Sequence, residues 1–470
     1  MIEALPKQQQ QARAGVGRVR KRATTTPVRL RALSSTIVVA AIALAVVGTG
    51  ALLAAEVTVT GVQQRTVPAI VGMQRLHALL SDADRSAANA YLEGGADSTL
   101  ALWHYTADIS AVNGELQADS ANNPGGEEAS GRLRAIATVI TYYTQLMTTA
   151  SADAQQNLPA GTAYLQASSN LMHRPGSGIL AQVDALRTVY AAQLDRANLT
   201  LQVTAALLAV YAVAAVVVLA LLFHTQRYLR ARFRRRRNHR LLAATLLLIM
   251  VSAGTALGSV RAAQPIRLAE SESYTRLLNM WSARALAYDA NGNEGLALIV
   301  SGGTFNQTFQ AATSKLVDRP LTNQLVQDAR QGNVRFNGLL ADELRATTTA
   351  QEQASAMLVL QAYQAFLQAD AAVRDRVAHN DRDGATAIAL GASGGQLVFA
   401  FDELDFYLGA TIQMIQDQFD ATMSSAQLPL QGTLGLQAFV LAIAGLAYWG
   451  LRPRMAEYTV GAKRQQAIPA

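Results

Sequence analysis

Four uncharged apolar runs constrain this chain more than any other feature: residues 33–55, 201–223, 241–260 and 434–451 contain no Asp, Glu, Lys, Arg or His. Each is about as long as a helix must be to cross ~30 Å of hydrocarbon, where only helices and closed barrels satisfy every backbone polar group. The expected fold class is an all-α membrane protein with four transmembrane helices. A cleavable signal peptide is the rival reading of the first run. That run is long for one, and Leu53 would occupy position −3 of a cleavage site after Ala55, so a retained anchor is expected.

Charge sets the orientation. The stretch HTQRYLRARFRRRRNHR, residues 224–240, carries eight arginines and no acid between two of the runs. Together with 1–32 and 452–470 it holds half of the 40 Lys and Arg residues, against two acids, Glu3 and Glu457. Short cytoplasmic loops are enriched in Lys and Arg. Both termini and this loop are therefore expected in the cytoplasm of a bacterial inner membrane. The +7 net charge reflects topology, and nucleic acid is not an expected partner. The layout that follows has a basic tail (1–32) expected to be disordered, an anchor (33–55) and a first extracytoplasmic helical bundle (56–200). A second span (201–223), the Arg-rich loop (224–240) and a third span (241–260) come next. A second bundle (261–433), the last span (434–451) and a short cytoplasmic tail (452–470) complete it.

Both outer regions alternate helical periodicity with turn signals. In the first, the breakers are Gly94–Gly95, NNPGG at 122–126, LPAG at 158–161 and RPGSG at 174–178. Val183, Leu186 and Tyr190 then mark one helical face that should continue unbroken into the second span. In the second, breaks are expected near 291–293, at Gly302–Gly303, at Arg319–Pro320, at 381–384 and at 391–395. Leu397, Phe401, Leu404, Leu408, Ile412, Ile415, Phe419 and Met423 follow at helical spacing, with a bend expected at Pro429 and Gly432. Tyr143 answers Tyr363, Gly161 answers Gly384, and Asp184-Ala185-Leu186 answers Asp402-Glu403-Leu404, so a tandem repeat is expected.

The residues exclude much chemistry. There is no cysteine, so disulfides and thiolate sites are ruled out, and the six histidines show no metal-ligand spacing. No cofactor, metal site or catalytic motif is expected, and the cytoplasmic parts are too short for a kinase or cyclase core. The chain is therefore expected not to be an enzyme. His77 and Asp84 lie seven residues apart on one helix, either as a polar pair inside a bundle that could hold a small ligand or at the edge of a core stripe formed by Leu76, Leu80, Ala83 and Ala87. Arg284, beside Trp281, Ala285 and Tyr288, faces Asp402 and Asp405 of the last helix as an ion pair or as the charged ends of an amino-acid site. Arg230, Arg232 and Arg234, Arg235, Arg236 and Arg237 would contact membrane lipid or a cytoplasmic partner, unless the loop only fixes topology.

The turn and helix DRDGATAIALGASGGQLVFAFDELD, residues 381–405, resemble the four-helix-bundle ligand-binding domains of bacterial chemoreceptors and sensor kinases. The usual HAMP linker and output domain are missing. The doubled modules, four spans and GLRPRMAEY ending are similar to the actinobacterial GlnX-like membrane proteins. That resemblance implies an extracytoplasmic solute-binding protein for glutamine or aspartate and a soluble serine/threonine kinase as partners. Chemoreceptor-like modules imply a homodimer, unless the two bundles of one chain pack side by side as a pseudo-dimer. The leading expectation is a non-enzymatic transmembrane signal transducer that answers a small metabolite or a loaded binding protein. A structural envelope scaffold without switching is the alternative. A transporter subunit is disfavoured by the uncharged spans.

Overall fold

The computed structural model describes residues 26–93, 99–156, 158, 160–233, 239–268, 273–299 and 304–465. Among these residues every regular element is helical. Helix α1 (Thr26–Gly61) passes through a π-helical turn (Val62–Thr66) into α2 (Val67–Glu93). Then come α3 (Thr99–Ala121), α4 (Gly126–Gln155), α5 (Ala160–His173), α6 (Ile179–Phe233) and α7 (His239–Leu268). The second half holds α8 (Tyr274–Ile299), α9 (Thr304–Leu316), α10 (Asn323–Arg330), α11 (Leu339–Ala346), α12 (Ala350–Ala378), α13 (Arg382–Ala389) and α14 (Leu397–Gln465).

The chain divides into two compact units, one apolar (Met1–Val59, Asn198–Gln264, Ser425–Ala470) and one polar (Thr60–Ala197, Pro265–Ser424). Three helical stretches are long and apolar enough to cross a membrane: Arg31–Glu93, Ile179–Ala231 and His239–Leu257; Phe439–Gly450 is a shorter apolar helix. These long apolar helices mark a membrane protein. Inside the apolar unit each helix contributes a stripe at three- to four-residue spacing: Ile37 and Leu44; Tyr211, Ala215, Val218 and Leu222; Leu241, Ala244, Leu248 and Val251; Val440, Ile443 and Ala447. The opposite faces are apolar as well, with Val39, Val46, Val213 and Leu246 exposed, as suits helices whose solvent is lipid. Gln226 fastens α6 to α7, its Nε2 donating to the Leu241 carbonyl at 3.2 Å and to Thr245 Oγ1 at 2.8 Å. Arg240 Nη1 donates to the Trp449 carbonyl at 3.1 Å.

The polar unit has one continuous core drawn from α2 to α6 and from α8 to α14. Leu76, Leu80, Ala83 and Ala87 of α2 are buried in it, as are Leu133, Ile136, Ile140 and Tyr143 of α4. Val183, Leu186 and Tyr190 of α6 join them, and so does the whole α14 stripe from Leu397 to Phe419; the Met423 side chain lies outside the described residues. The NNPGG turn forms because Gly126 takes φ +66° while the Asn123 side chain accepts from the Gly125 amide at 2.8 Å. At 381–384 the Asp381 carboxylate caps α13, accepting from the Gly384 amide at 2.9 Å.

Helices α2 and α8 pack against each other in parallel. Ser81 meets Asp289, Arg85 meets Gly292, and Ala88 meets Gly295, so contacts advance in the same direction along both helices. Here one sequence expectation is corrected. The Asn291-Gly292-Asn293 stretch does not break the chain; α8 runs through it with all three residues buried. Asn293 turns its amide onto the Asp289 carbonyl at 2.6 Å, one turn back. A Cβ added at Gly292 would sit 3.6 Å from Arg85 Cα, and one at Gly295 3.5 Å from Ala88 Cβ. The glycines are the surface that lets two helices approach, not a turn. Helix α6 continues unbroken to Phe233, and α14 stays helical across Pro429 and Gly432. Gly94, Gly95, Gly302 and Gly303 lie outside the described residues.

Candidate functional site: an ionisable seam

Residues four and three apart share a helix face, so His77, Ser81 and Asp84 form one polar stripe along α2. The stripe does not act as one pair. His77 Nδ1 is 3.6 Å from Asp184 Oδ1 of α6, and His77 Nε2 is 3.5 Å from Asp289 Oδ2 of α8. Ser81 donates to the other oxygen of Asp289. Asp84, 3% exposed, accepts from the Tyr143 hydroxyl at 3.0 Å and lies 3.1 Å from His173 Nε2 at the end of α5. Asp84 and the Leu76–Ala87 stripe are buried together, because α2 packs against its own bundle on one side and α8 on another.

The electrostatics follow from this geometry. A neutral imidazole has one donor and one acceptor nitrogen, and a ring flanked by a carboxylate on each side is satisfied only as imidazolium. Burial pulls the His77 pKa down, but the bonds and charges of Asp184 and Asp289 overcome it and raise it to about 9. His173 is raised likewise by Asp84 against the opposing pull of burial. Burial lifts Asp289 and Asp184, yet His77 outweighs it and holds both below the usual carboxylate range. The group opens onto a cleft of about 610 Å³ that also carries Arg187, Lys315 and Asp342. Its walls come from α2, α5, α6, α8, α9 and α11. Such a cleft presents both signs of charge to whatever enters it.

Arg284 and Asp405 meet in a bidentate pair, at 2.6 and 2.8 Å. Asp402 is not part of it. It is exposed on α14 near Arg85, and partial burial with the Asp405 and Asp82 charges raises its pKa against the pull of Arg85. Arg85 itself is paired with Asp82 at 2.9 and 2.7 Å and lies over the rings of Tyr288 and Phe401. Deeper in the second half, Arg276 is clasped by Glu343 and Glu352 at 2.7 and 3.2 Å, all three buried. Arg230 is exposed on α6; the Arg232 side chain and Arg234, Arg235, Arg236 and Arg237 lie outside the described residues. Among the described residues no group of His, Cys, Asp or Glu could hold a metal ion. Sequence reasoning missed His173, Asp289 and Arg276. Only Asp184 had left a trace, as the repeat counterpart of Asp402.

Comparison with known families places residues 58–198 in a match to the actinobacterial sensor domain. That stretch contains α2, α3, α4, α5 and the part of α6 that carries Asp184. No curated protein and no solved structure matches the chain.

Proposed function

We propose that this chain is a non-enzymatic transmembrane sensor of the bacterial cytoplasmic membrane, GlnX-like in layout, with four spans and both termini inside. The polar unit faces outward as two tandem chemoreceptor-like bundles, α2 to α6 and α8 to α14, each with a short helix before its last long one. A small metabolite such as an amino acid, or a loaded solute-binding protein, engages the cleft beside His77. Arg187 and Lys315 suit a carboxylate there, and Asp342 and Asp289 an ammonium group. Engagement shifts α2 against α8, and the Arg-rich loop presents the change to a cytoplasmic partner such as a serine/threonine kinase. A ligand produces such a shift only through different affinities for two states of the seam.

One observation carries the reading. The segment that matches a sensor domain is joined through His77 and Ser81 to Asp289 of α8, outside the match. The test is a cross-linked pull-down of the full-length protein from its native membrane, beside a variant with Arg232 and Arg234–Arg237 replaced by Gln and its topology verified. The expected result is an exported solute-binding protein recovered with both and a cytoplasmic regulator lost only from the variant. Identical envelope proteins with no cytoplasmic regulator would instead make the chain a scaffold.

A further inference from the structure

A second concavity lies inside the first bundle, and its chemistry is the opposite of the cleft's. It offers about 300 Å³, partly open to solvent, between the last turns of α2, the first turns of α3 and the end of α4. Ala87, Ala90, Leu102, Tyr105, Met147 and Ala152 are among its walls, with Thr148 and Ser151 beside them, and among the described residues no charged side chain lines it. The alanines leave the space open. Water held against its alanine, leucine and methionine walls is what an apolar ligand would displace.

Tyr105 supplies the second observation. It is 7% exposed, it lines the cavity, and among the described residues its hydroxyl has no hydrogen-bond partner of ordinary length. The nearest hydroxyl, that of Thr144, donates to the Ile140 carbonyl at 2.7 Å and interacts with the Tyr105 phenol only beyond ordinary hydrogen-bond length. A buried donor left unmade is costly, and an acceptor brought in by a ligand would remove that cost.

We propose that this cavity binds a small, uncharged, mainly apolar molecule with one hydrogen-bond acceptor turned to Tyr105 Oη. The charge follows from the lining, since an ion would lose its water without gaining a counter-charge. The size follows from the volume: a cavity of roughly 150 Å³ accepts benzene, so this one suits about two fused rings. The site is independent of the charged cleft and of the signalling reading. It shares α2 with the seam, because Ala87 and Ala90 flank Ala88, which packs against Gly295 of α8.

The test uses the full-length protein in detergent and a matched pair of probes, α-tetralone and its hydrocarbon counterpart tetralin, with the thermal unfolding midpoint followed against probe concentration. The expected result is a saturable rise with both, half-complete at roughly three- to tenfold lower concentration for the ketone, the worth of one hydrogen bond. Tyr105→Phe should erase that preference while keeping the response to tetralin. Ala87→Leu, which fills the cavity, should abolish both responses, and Ala90→Leu serves if the first variant fails to fold. No saturable rise in the unmodified protein, a response unchanged in the filled variant, or a ketone preference surviving Tyr105→Phe would overturn the proposal.

Discussion

His77 keeps its proton because each ring nitrogen faces a carboxylate, at 3.6 and 3.5 Å. Its folded pKa, about 9, lies above its usual 6.5, so the stability it contributes is complete below about 6.5 and disappears as pH rises through 9. Asp108, Asp119 and Glu294 act in the same direction. Burial first, then neighbouring acids, raise them to about 7, 8 and 8, and the stability they contribute is lost as pH climbs toward those values. The unfolding midpoint should therefore fall between pH 6 and pH 10. His77→Gln should lower it at pH 6 and flatten the fall between about 6.5 and 9. An unchanged slope in that variant would place the proton elsewhere. Arg276→Met makes a second residue-scale prediction, because it strands Glu343 and Glu352 as buried carboxylates without a cation. A loss of about 3–5 kcal/mol is expected in denaturant unfolding. A loss no larger than that of an exposed pair, such as Arg132 with Glu128, would contradict it. These groups differ in how far the sequence disclosed them. Arg284 and Asp405 were readable because each sits beside a helical stripe whose neighbour was known. His173 and Asp84 lie 89 residues apart in the chain, and no local pattern announces that they meet.

At the scale of elements, amphipathic helices were legible and glycine was not. The α14 stripe is buried from Leu397 to Phe419 as its spacing requires, since a single face can bury itself only at a helical period. The glycines and asparagines at 291–293 carry the composition of a turn, and composition cannot distinguish a turn from a close helix contact. What decides is a partner helix far away in sequence. The distinction can be measured. Gly295→Ala adds a methyl at ordinary contact distance, 3.5 Å from Ala88 Cβ, and gains helix propensity, so it should stabilise the protein by ~0.5–1 kcal/mol. Gly295→Leu overfills the seam and should destabilise by about 1–3 kcal/mol. Gly161→Ala is the counter-case, because its Cβ would meet the Ala150 carbonyl oxygen at 3.0 Å and Asp153 Cβ at 3.1 Å, and it should destabilise. Thermal unfolding of the three variants checks the order. Stabilisation by Gly295→Leu would show that α2 and α8 do not approach as described.

At the scale of the whole molecule, polar segments separated by apolar helices form one compact unit with one core. The uncharged spans, the acid-rich regions between them and the periodic faces pointed to a helical membrane protein. The meeting of the two polar segments did not follow from them, because it depends on side chains about 200 residues apart, such as Ser81 and Asp289, separated by 208. A chain that carries both halves of its seam closes that contact within one copy. The absence of cysteine makes this directly testable, since introduced thiols have no competitors. The Cβ positions of Ala88 and Gly295 are 3.5 Å apart, within the ~3.5–4.5 Å that a disulfide needs. The measurement is therefore oxidation of the Ala88→Cys, Gly295→Cys double variant in native membranes, read as thiol loss and as migration on non-reducing gels. Rapid loss of both thiols in a species that stays monomeric is the predicted result. Free thiols after oxidation, or cross-linked dimers in place of the monomer, would contradict a seam built within one chain.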